Sequence, residues 1–362
     1  MKIAYDHTIF LIQKYGGISR YFHELVNNLD DKYNAKIFCP IYLNEIINSN
    51  KKIFKLKKIN TIPKFSRKLL NYLNFKINEI YFYKWQPNII HQTYFNSYKY
   101  SNNKAKKVVN VWDLSHEKFH YMYERSKNWK PKEESLKQVD HVICSSKNTQ
   151  KELIEYYNFD YKKTSVVYQC APDLNLNTPL KKNKDKILLY VGSRLKYKNF
   201  ENLLKALSLN LDILQDFKLI CFGIETLSKR EKFLIHKYNL NEKNIIFENG
   251  DDKKLADFYI KATALIYPSK NEGFGFPPLE AMKYGCPVIS SNNKAILEAT
   301  DLEKYSFNPY EPIDMIKKIE NVIYSDKEVN YLHEYGPKRV KKFSQSNMMN
   351  NIKKVYEKVI NY

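Results

Sequence analysis

The chain has 362 residues, 43% of them hydrophobic and 27% charged, with 60 Lys and Arg against 39 Asp and Glu and a formal net charge of +21. That length accommodates two domains with cores of their own, no apolar run reaches the length of a membrane span, and Met1-Lys-Ile-Ala-Tyr-Asp6 meets an acid too early for a secretory signal. The charge calls for an anionic partner or surface, but it comes from Lys spread along the chain with only six Arg, and no basic recognition helix, RNA-binding or zinc-finger pattern accompanies it, so nucleic acid is not expected.

In chain order, residues 3–5 read as a buried strand, Gly16-Gly17 as a turn, and 19–29 as an amphipathic helix. A strand at 35–39 and a long helical stretch from about 64 to 84 follow, then strands at 89–91, 108–111 and 142–144, a helix at 149–157 and a strand at 165–168. Residues 173–186, rich in Lys with Pro and Asn, read as a linker. A second series has strands at 187–191, 218–222, 245–247, 264–267 and 288–289, with helices at about 200–207, 228–238 and 253–261 between them. Helices at about 312–324 and 344–360 close the chain. Such alternation predicts two α/β domains, 1–172 and 187–343, each a mostly parallel sheet covered by helices. Ligands of such sheets bind outside the carboxyl ends of the strands, so loops of both domains would line one cleft.

Nine glycines are few for 362 residues, against a usual ~7%, and most flank strand-like runs. The densest group lies in Asn271-Glu-Gly-Phe-Gly-Phe-Pro-Pro-Leu-Glu-Ala-Met282, between an apolar strand and a helix whose first turn takes Pro277 and Pro278. Free amides at a helix start bind anions, and Glu272 and Glu280 can accept hydrogen bonds from hydroxyls, so the segment suits a sugar attached to a phosphate. Gly192-Ser-Arg-Leu-Lys-Tyr-Lys198 follows another strand. Arg194 and Lys198 could neutralise a diphosphate leaving group, or form a solvated basic face. Gly16 and Gly17 precede a helix and allow close backbone approach to a ligand. Past the strand at 108–111, Asp113, His116 and Glu117 are candidates for orienting or activating an acceptor, with a capping or space-filling His116 as the other reading. His91 suits a structural or sugar-contacting role better than a base. Residues 65–85 mix aromatics, aliphatics and Lys, the composition of an interfacial amphipathic helix and equally of a core helix. The five cysteines are scattered and fit reduced core thiols in a cytosolic protein, and no metal motif is present.

Together these residues resemble glycosyltransferase family 4, over nearly the whole chain and most strongly from 191 to 291. Gly16-Gly-Ile-Ser-Arg-Tyr21 and Cys144-Ser-Ser-Lys-Asn-Thr149 are similar to its N-terminal segments. The resemblance implies the GT-B arrangement, two Rossmann-like domains facing a central cleft, with the last helix, 344–362, crossing back onto the N-terminal domain. It implies retaining transfer of a hexose from a GDP-, UDP- or dTDP-linked sugar to a hydroxyl of a glycan or undecaprenyl-diphosphate-linked acceptor, in synthesis of a bacterial O-antigen, capsule or other surface polysaccharide. No permanent cofactor and no metal are expected, and the site would be cytoplasmic, against the anionic inner face of the membrane. By resemblance Arg194 and Lys198 hold the donor diphosphate, with Gly17 beside it. Glu272 and the amides of Gly273, Phe274, Gly275 and Phe276 hold the sugar, and Glu280 the ribose. Two departures stand out. Trp112 occupies the place of the family's histidine before Asp113, so Asp113 or His116 would substitute, and Gln169-Cys-Ala-Pro172 replaces a glycine-bearing hinge. A catalytically impaired sugar-nucleotide-binding partner on the same fold is the alternative.

Overall fold

The computed structural model describes residues 1–47, 52–63, 66–100, 104–119, 129–171, 180, 184–194, 196–223 and 226–361. Most of the expected linker at 173–186 and the start of the helix expected at 64 therefore lie outside the described residues. The chain forms two compact units, one of Met1–Ser145, Gln150–Val167 and Met348–Tyr362, the other of Ser146–Thr149 and Tyr168–Asn347.

In the first unit the strands are β1 (Lys2–Tyr5), β2 (Asn34–Phe38), β3 (Ile41–Tyr42), β4 (Ile53–Phe54), β5 (Lys57–Lys58), β6 (Ile89–Gln92), β7 (Lys106–Val111), β8 (His141–Cys144) and β9 (Thr164–Val166). Seven of them form a sheet in the order β4-β2-β1-β6-β7-β8-β9, with every pairing parallel, while β3 pairs with β5 apart from it. Central strands of a parallel sheet are covered on both faces, and β6 and β8 are buried at every residue, the polar His91, Gln92 and His141 included. The covering helices are α1 (Thr8–Ile12), α2 (Gly17–Asn28), α3 (Arg67–Trp85), α4 (Ser115–Lys118), α5 (Trp129–Leu136) and α6 (Lys147–Tyr157), the last beginning in residues of the second unit.

The second unit carries β10 (Asp185–Val191), β11 (Lys218–Phe222), β12 (Ile245–Glu248), β13 (Ala262–Tyr267), β14 (Val288–Ser291) and β15 (Ser306–Phe307), ordered β12-β11-β10-β13-β14-β15 and again parallel throughout. Asp185 and Lys186, expected in the linker, extend β10, where Asp185 pairs with Ala262. Its helices are α7 (Phe200–Leu207), α8 (Ile213–Asp216), α9 (Lys229–Lys237), α10 (Asp252–Lys261), α11 (Phe276–Lys283), α12 (Lys294–Thr300), α13 (Pro312–Ile323) and α14 (Asp326–Val340). All six residues of β13 are buried, the burial expected of a central strand.

The last helix, α15 (Gln345–Ile360), joins the first unit from Met348 onward. It is held there by a buried polar chain. Tyr356 Oη lies 2.9 Å from Tyr5 Oη and 2.7 Å from His91 Nδ1, and His91 Nε2 lies 2.6 Å from Asn110 Oδ1. Burial pushes the His91 imidazole down to about 3, so it acts as a neutral hydrogen-bonding group. These contacts give it a structural place, between the last helix and Asn110 of β7.

Candidate active site

Each sheet reverses its strand order once, and open α/β sheets bind ligands at such a switch point. In the second unit the reversal falls between β10, whose chain continues to β11, and β13, whose chain continues to β14. The loop after β10 carries Gly192, Arg194 and Lys198, and the loop after β13 carries Glu272 and Gly273. The sequence candidates therefore flank one crevice for a topological reason.

Lys198 Nζ lies 2.6 Å from Glu272 Oε1 and 3.3 Å from Tyr267 Oη, and Tyr267 donates to the same carboxylate oxygen at 2.8 Å. Burial opposes the charge on Lys198, but Glu272, Tyr267 and Tyr197 outweigh it and hold the ammonium well above its ordinary range. Arg194 is more deeply committed. Its Nε donates to Glu231 at 2.6 Å, Nη2 donates to the Thr226 carbonyl, and the guanidinium lies 4.9 Å from the Phe247 ring centroid. Glu231 closes the capping box of α9 at the same time, accepting from Ser228 N at 2.7 Å. One carboxylate thus fixes both a helix start and the arginine.

Gly275 is the N-cap of α11 with φ +92°, a conformation that favours glycine. Because Pro277 and Pro278 carry no N–H, the backbone donors that could meet an anion at the start of α11 are those of Gly275 and Phe276. The Phe274 side chain takes no part in such a site. It stacks on Tyr168 at 5.7 Å and meets Phe343 at 5.4 Å in the core. Glu280, inside α11, accepts from Tyr259 Oη at 3.0 Å. Gly223, at the end of β11, runs so close to the Gly192 carbonyl that an added Cβ would sit 3.0 Å from it.

The switch point of the first unit lies between β1 and β6. There Asp6 is fully buried and accepts from Thr93 N at 2.8 Å, Thr93 Oγ1 at 2.7 Å, Asn96 Nδ2 at 2.9 Å and Thr8 Oγ1 at 3.0 Å. His7 beside it has its pKa lowered by burial, against the pull of Asp6. Sequence reading passed over both residues, because an acid directly after a strand resembles an ordinary turn. Gly16 caps α2 and Gly17 opens it. Asp113 Oδ1 accepts from Ser115 N at 2.8 Å, starting the short α4 that carries His116. Glu117 faces inward, in contact with Lys132 Nζ at 2.8 Å and accepting from Tyr157 Oη at 2.6 Å, while Lys132 also donates to the Asp113 carbonyl at 3.0 Å. Trp112 packs edge-on against Tyr21, 5.0 Å between ring centroids. Among the described residues no group of three or more His, Cys, Asp and Glu is arranged to hold a metal ion.

Two parallel Rossmann-like units of this kind are the GT-B class, and solved structures of the same fold cover almost the whole chain. Sucrose-phosphate synthase from Thermosynechococcus elongatus superposes with TM-score 0.76 at 20% identity, over 99% of each chain. Anabaena HepE, in complex with UDP and glucose, gives 0.73 at 15% identity, over 98% of this chain and 99% of that one. The chain belongs to the family-4 glycosyltransferases: residues 15–171 match the model for Glycosyltransferase Family 4 and residues 174–339 that for Glycosyl transferases group 1. Among relatives, the O-antigen chain mannosyltransferase RfbU of Salmonella typhimurium is 28% identical over 188 residues, 52% of this chain. The chain spans about half the length of that relative, 52%.

Proposed function

We propose that the chain transfers a hexosyl group from a nucleotide-diphosphate sugar to a hydroxyl of a glycan or lipid-linked glycan, with retention at the anomeric carbon, in synthesis of a bacterial surface polysaccharide. The observation that carries this reading is the Lys198–Glu272 pair at the switch point beside the amides of α11. A cation and a hydroxyl acceptor 2.6 Å apart match the two halves of a sugar diphosphate.

On this reading Lys198 and Arg194 take the diphosphate, with Gly192 and Gly17 letting backbone approach it. Glu272 and the backbone from Gly273 to Phe276 take the sugar, and Glu280 the ribose. The bond from the anomeric carbon to the phosphate oxygen breaks and its electron pair leaves with the diphosphate. The acceptor oxygen bonds to the carbon on the same face, and the acceptor proton passes to the departing diphosphate. Lys198 and Arg194 stabilise the charge that develops there. Asp113 and His116 orient the acceptor, in place of the family histidine that Trp112 replaces. Mannose is the first sugar to test because RfbU is named a mannosyltransferase.

The test is incubation with GDP-, UDP- and dTDP-linked hexoses and lipid-diphosphate acceptors, with the anomeric configuration of the product read by NMR. Glu272→Ala and Lys198→Ala should each lower turnover by roughly 10²–10³ with circular dichroism unchanged. Arg194→Ala is a poorer probe, because it also strips Glu231 of its partner. No binding and no transfer with any donor would sink the reading. Nucleotide-sugar binding without transfer would instead favour a catalytically impaired partner protein.

A further inference from the structure

Ser146–Thr149, at the start of α6, belong to the second unit although the rest of that unit begins at Tyr168. Their hydrogen bonds explain the membership. Ser146 Oγ accepts from Thr149 N at 3.0 Å, as a capping residue does at the first turn of a helix. It also lies 3.0 Å from Thr149 Oγ1, which lies 3.1 Å from the Gly273 carbonyl oxygen. A carbonyl only accepts and a hydroxyl has one proton, so Thr149 donates to Gly273 and Ser146 donates to Thr149. Both hydroxyl residues are fully buried. Beside them Glu298 of α12 accepts from Lys147 N at 2.8 Å, Asn148 N at 3.2 Å and Tyr168 Oη at 2.6 Å, and the Tyr168 ring stacks on Phe274.

Glu272 is bracketed by held carbonyls. Asn199 Nδ2 donates to Pro268 O at 3.1 Å and Ser291 Oγ to Ser269 O at 2.6 Å on one side of it, and Thr149 takes the Gly273 carbonyl on the other, across 124 residues of sequence. In a trans peptide C=O and N–H point in opposite directions. The bond that draws the Gly273 carbonyl to Thr149 therefore aims the Phe274 N–H away from Thr149, while the stacked Phe274 ring anchors the far end of the same peptide. Without the hydroxyl that peptide can turn over, because glycine offers little resistance to rotation about its own backbone bonds. We propose that Thr149 is a positioning residue for transfer: its hydroxyl sets the 273–274 peptide so that the Phe274 N–H donates to a hydroxyl of the donor sugar beside Glu272. Thr149 touches no substrate and acts only through the loop. The inference rests on the assignment of this backbone to the sugar and adds a sharper consequence. A turned peptide weakens the hold on the sugar and leaves the diphosphate with Lys198 and Arg194.

The experiment is titration calorimetry and steady-state kinetics of the full chain, with the nucleotide sugar that the wild type turns over and with its nucleoside diphosphate alone. Thr149→Val keeps the shape and removes the hydroxyl. It should bind the nucleotide sugar and turn it over about tenfold less well, yet bind the nucleoside diphosphate as the wild type does. Thr149→Ala should show the same split, and Thr149→Ser, which keeps the hydroxyl, should recover most of the loss. Thr263→Val is the control: it removes a buried hydroxyl of β13 that donates to Asp185 O at 2.6 Å, and should lower the melting temperature with both affinities unchanged. Wild-type donor affinity and turnover in Thr149→Val and Thr149→Ala overturn the proposal while the transfer reading stands. So does an equal loss for nucleotide and nucleotide sugar, or a Thr149→Ser variant no better than Thr149→Val. A wild type that binds no nucleotide sugar removes the transfer reading and this proposal together.

Discussion

Lys132, at 3% side-chain exposure, is paired with Glu117, at 2%, 2.8 Å away, and also donates to the Asp113 carbonyl. Removing one partner of such a pair leaves the other charged and dry, a loss of about 3–5 kcal/mol. Lys132→Met should show that loss in urea denaturation, and adding Glu117→Leu should recover much of it, although Tyr157 then loses its acceptor. The pair also indicates what single residues can tell from sequence. Arg194, Lys198 and Glu272 could be singled out because each lies in the loop after a strand, and Glu280 because it lies in the helix that follows Glu272, placements that local chain geometry sets. Lys132, Tyr267 and Tyr259 were not, since their partners are brought to them by tertiary folding. Glu231 had a readable trace in Ser228-Lys-Arg-Glu231, a capping-box spacing, but nothing local pointed from it to Arg194.

Among elements, apolar runs such as 187–191 and 264–267 identified strands well, because a central parallel strand must be apolar on both faces. Short edge pieces escaped: β5 is two exposed lysines that pair with Ile41 and Tyr42. Helix α14 escaped for a different reason. Gly336-Pro337 reads as a helix breaker, yet the helix runs on through Pro337 to Val340. Packing against α11 overrides the local preference, and the glycine is what permits it. A Cβ at Gly336 would lie 2.8 Å from the Met282 carbonyl oxygen. Glycine to alanine normally stabilises a helix by roughly 0.5–1 kcal/mol. Here Gly336→Ala should carry the opposite sign and lower stability by about 1–3 kcal/mol, seen as a lower melting temperature.

For the whole molecule, the two-unit α/β plan followed from strand and helix alternation, while the interruption of the first unit by the second did not. That unit also concentrates the buried histidines. Burial lowers His91 to about 3 and His141 to about 4, and His7 moves the same way. Unfolded histidines bind protons near pH 6.5, where the folded ones refuse them. The resulting stability is complete above about pH 6.5 and is lost progressively as pH falls toward 4. Urea midpoints measured from pH 7 down to 5, above the carboxylate range, should therefore fall, and His91→Gln should flatten the slope.

The tie between Tyr356 and the Tyr5–His91–Asn110 chain also sets an order of events during synthesis. About 180 residues of the second unit separate Tyr168 from Asn347. At ~5–20 residues per second, the ribosome needs on the order of ten to forty seconds to make them. Throughout that interval the first sheet waits without its closing helix, its buried polar groups still wet, while the later-made unit can finish first. A nascent chain of this protein is thus complete in its middle before it is complete at its start, and chaperones would meet it with that first sheet still open.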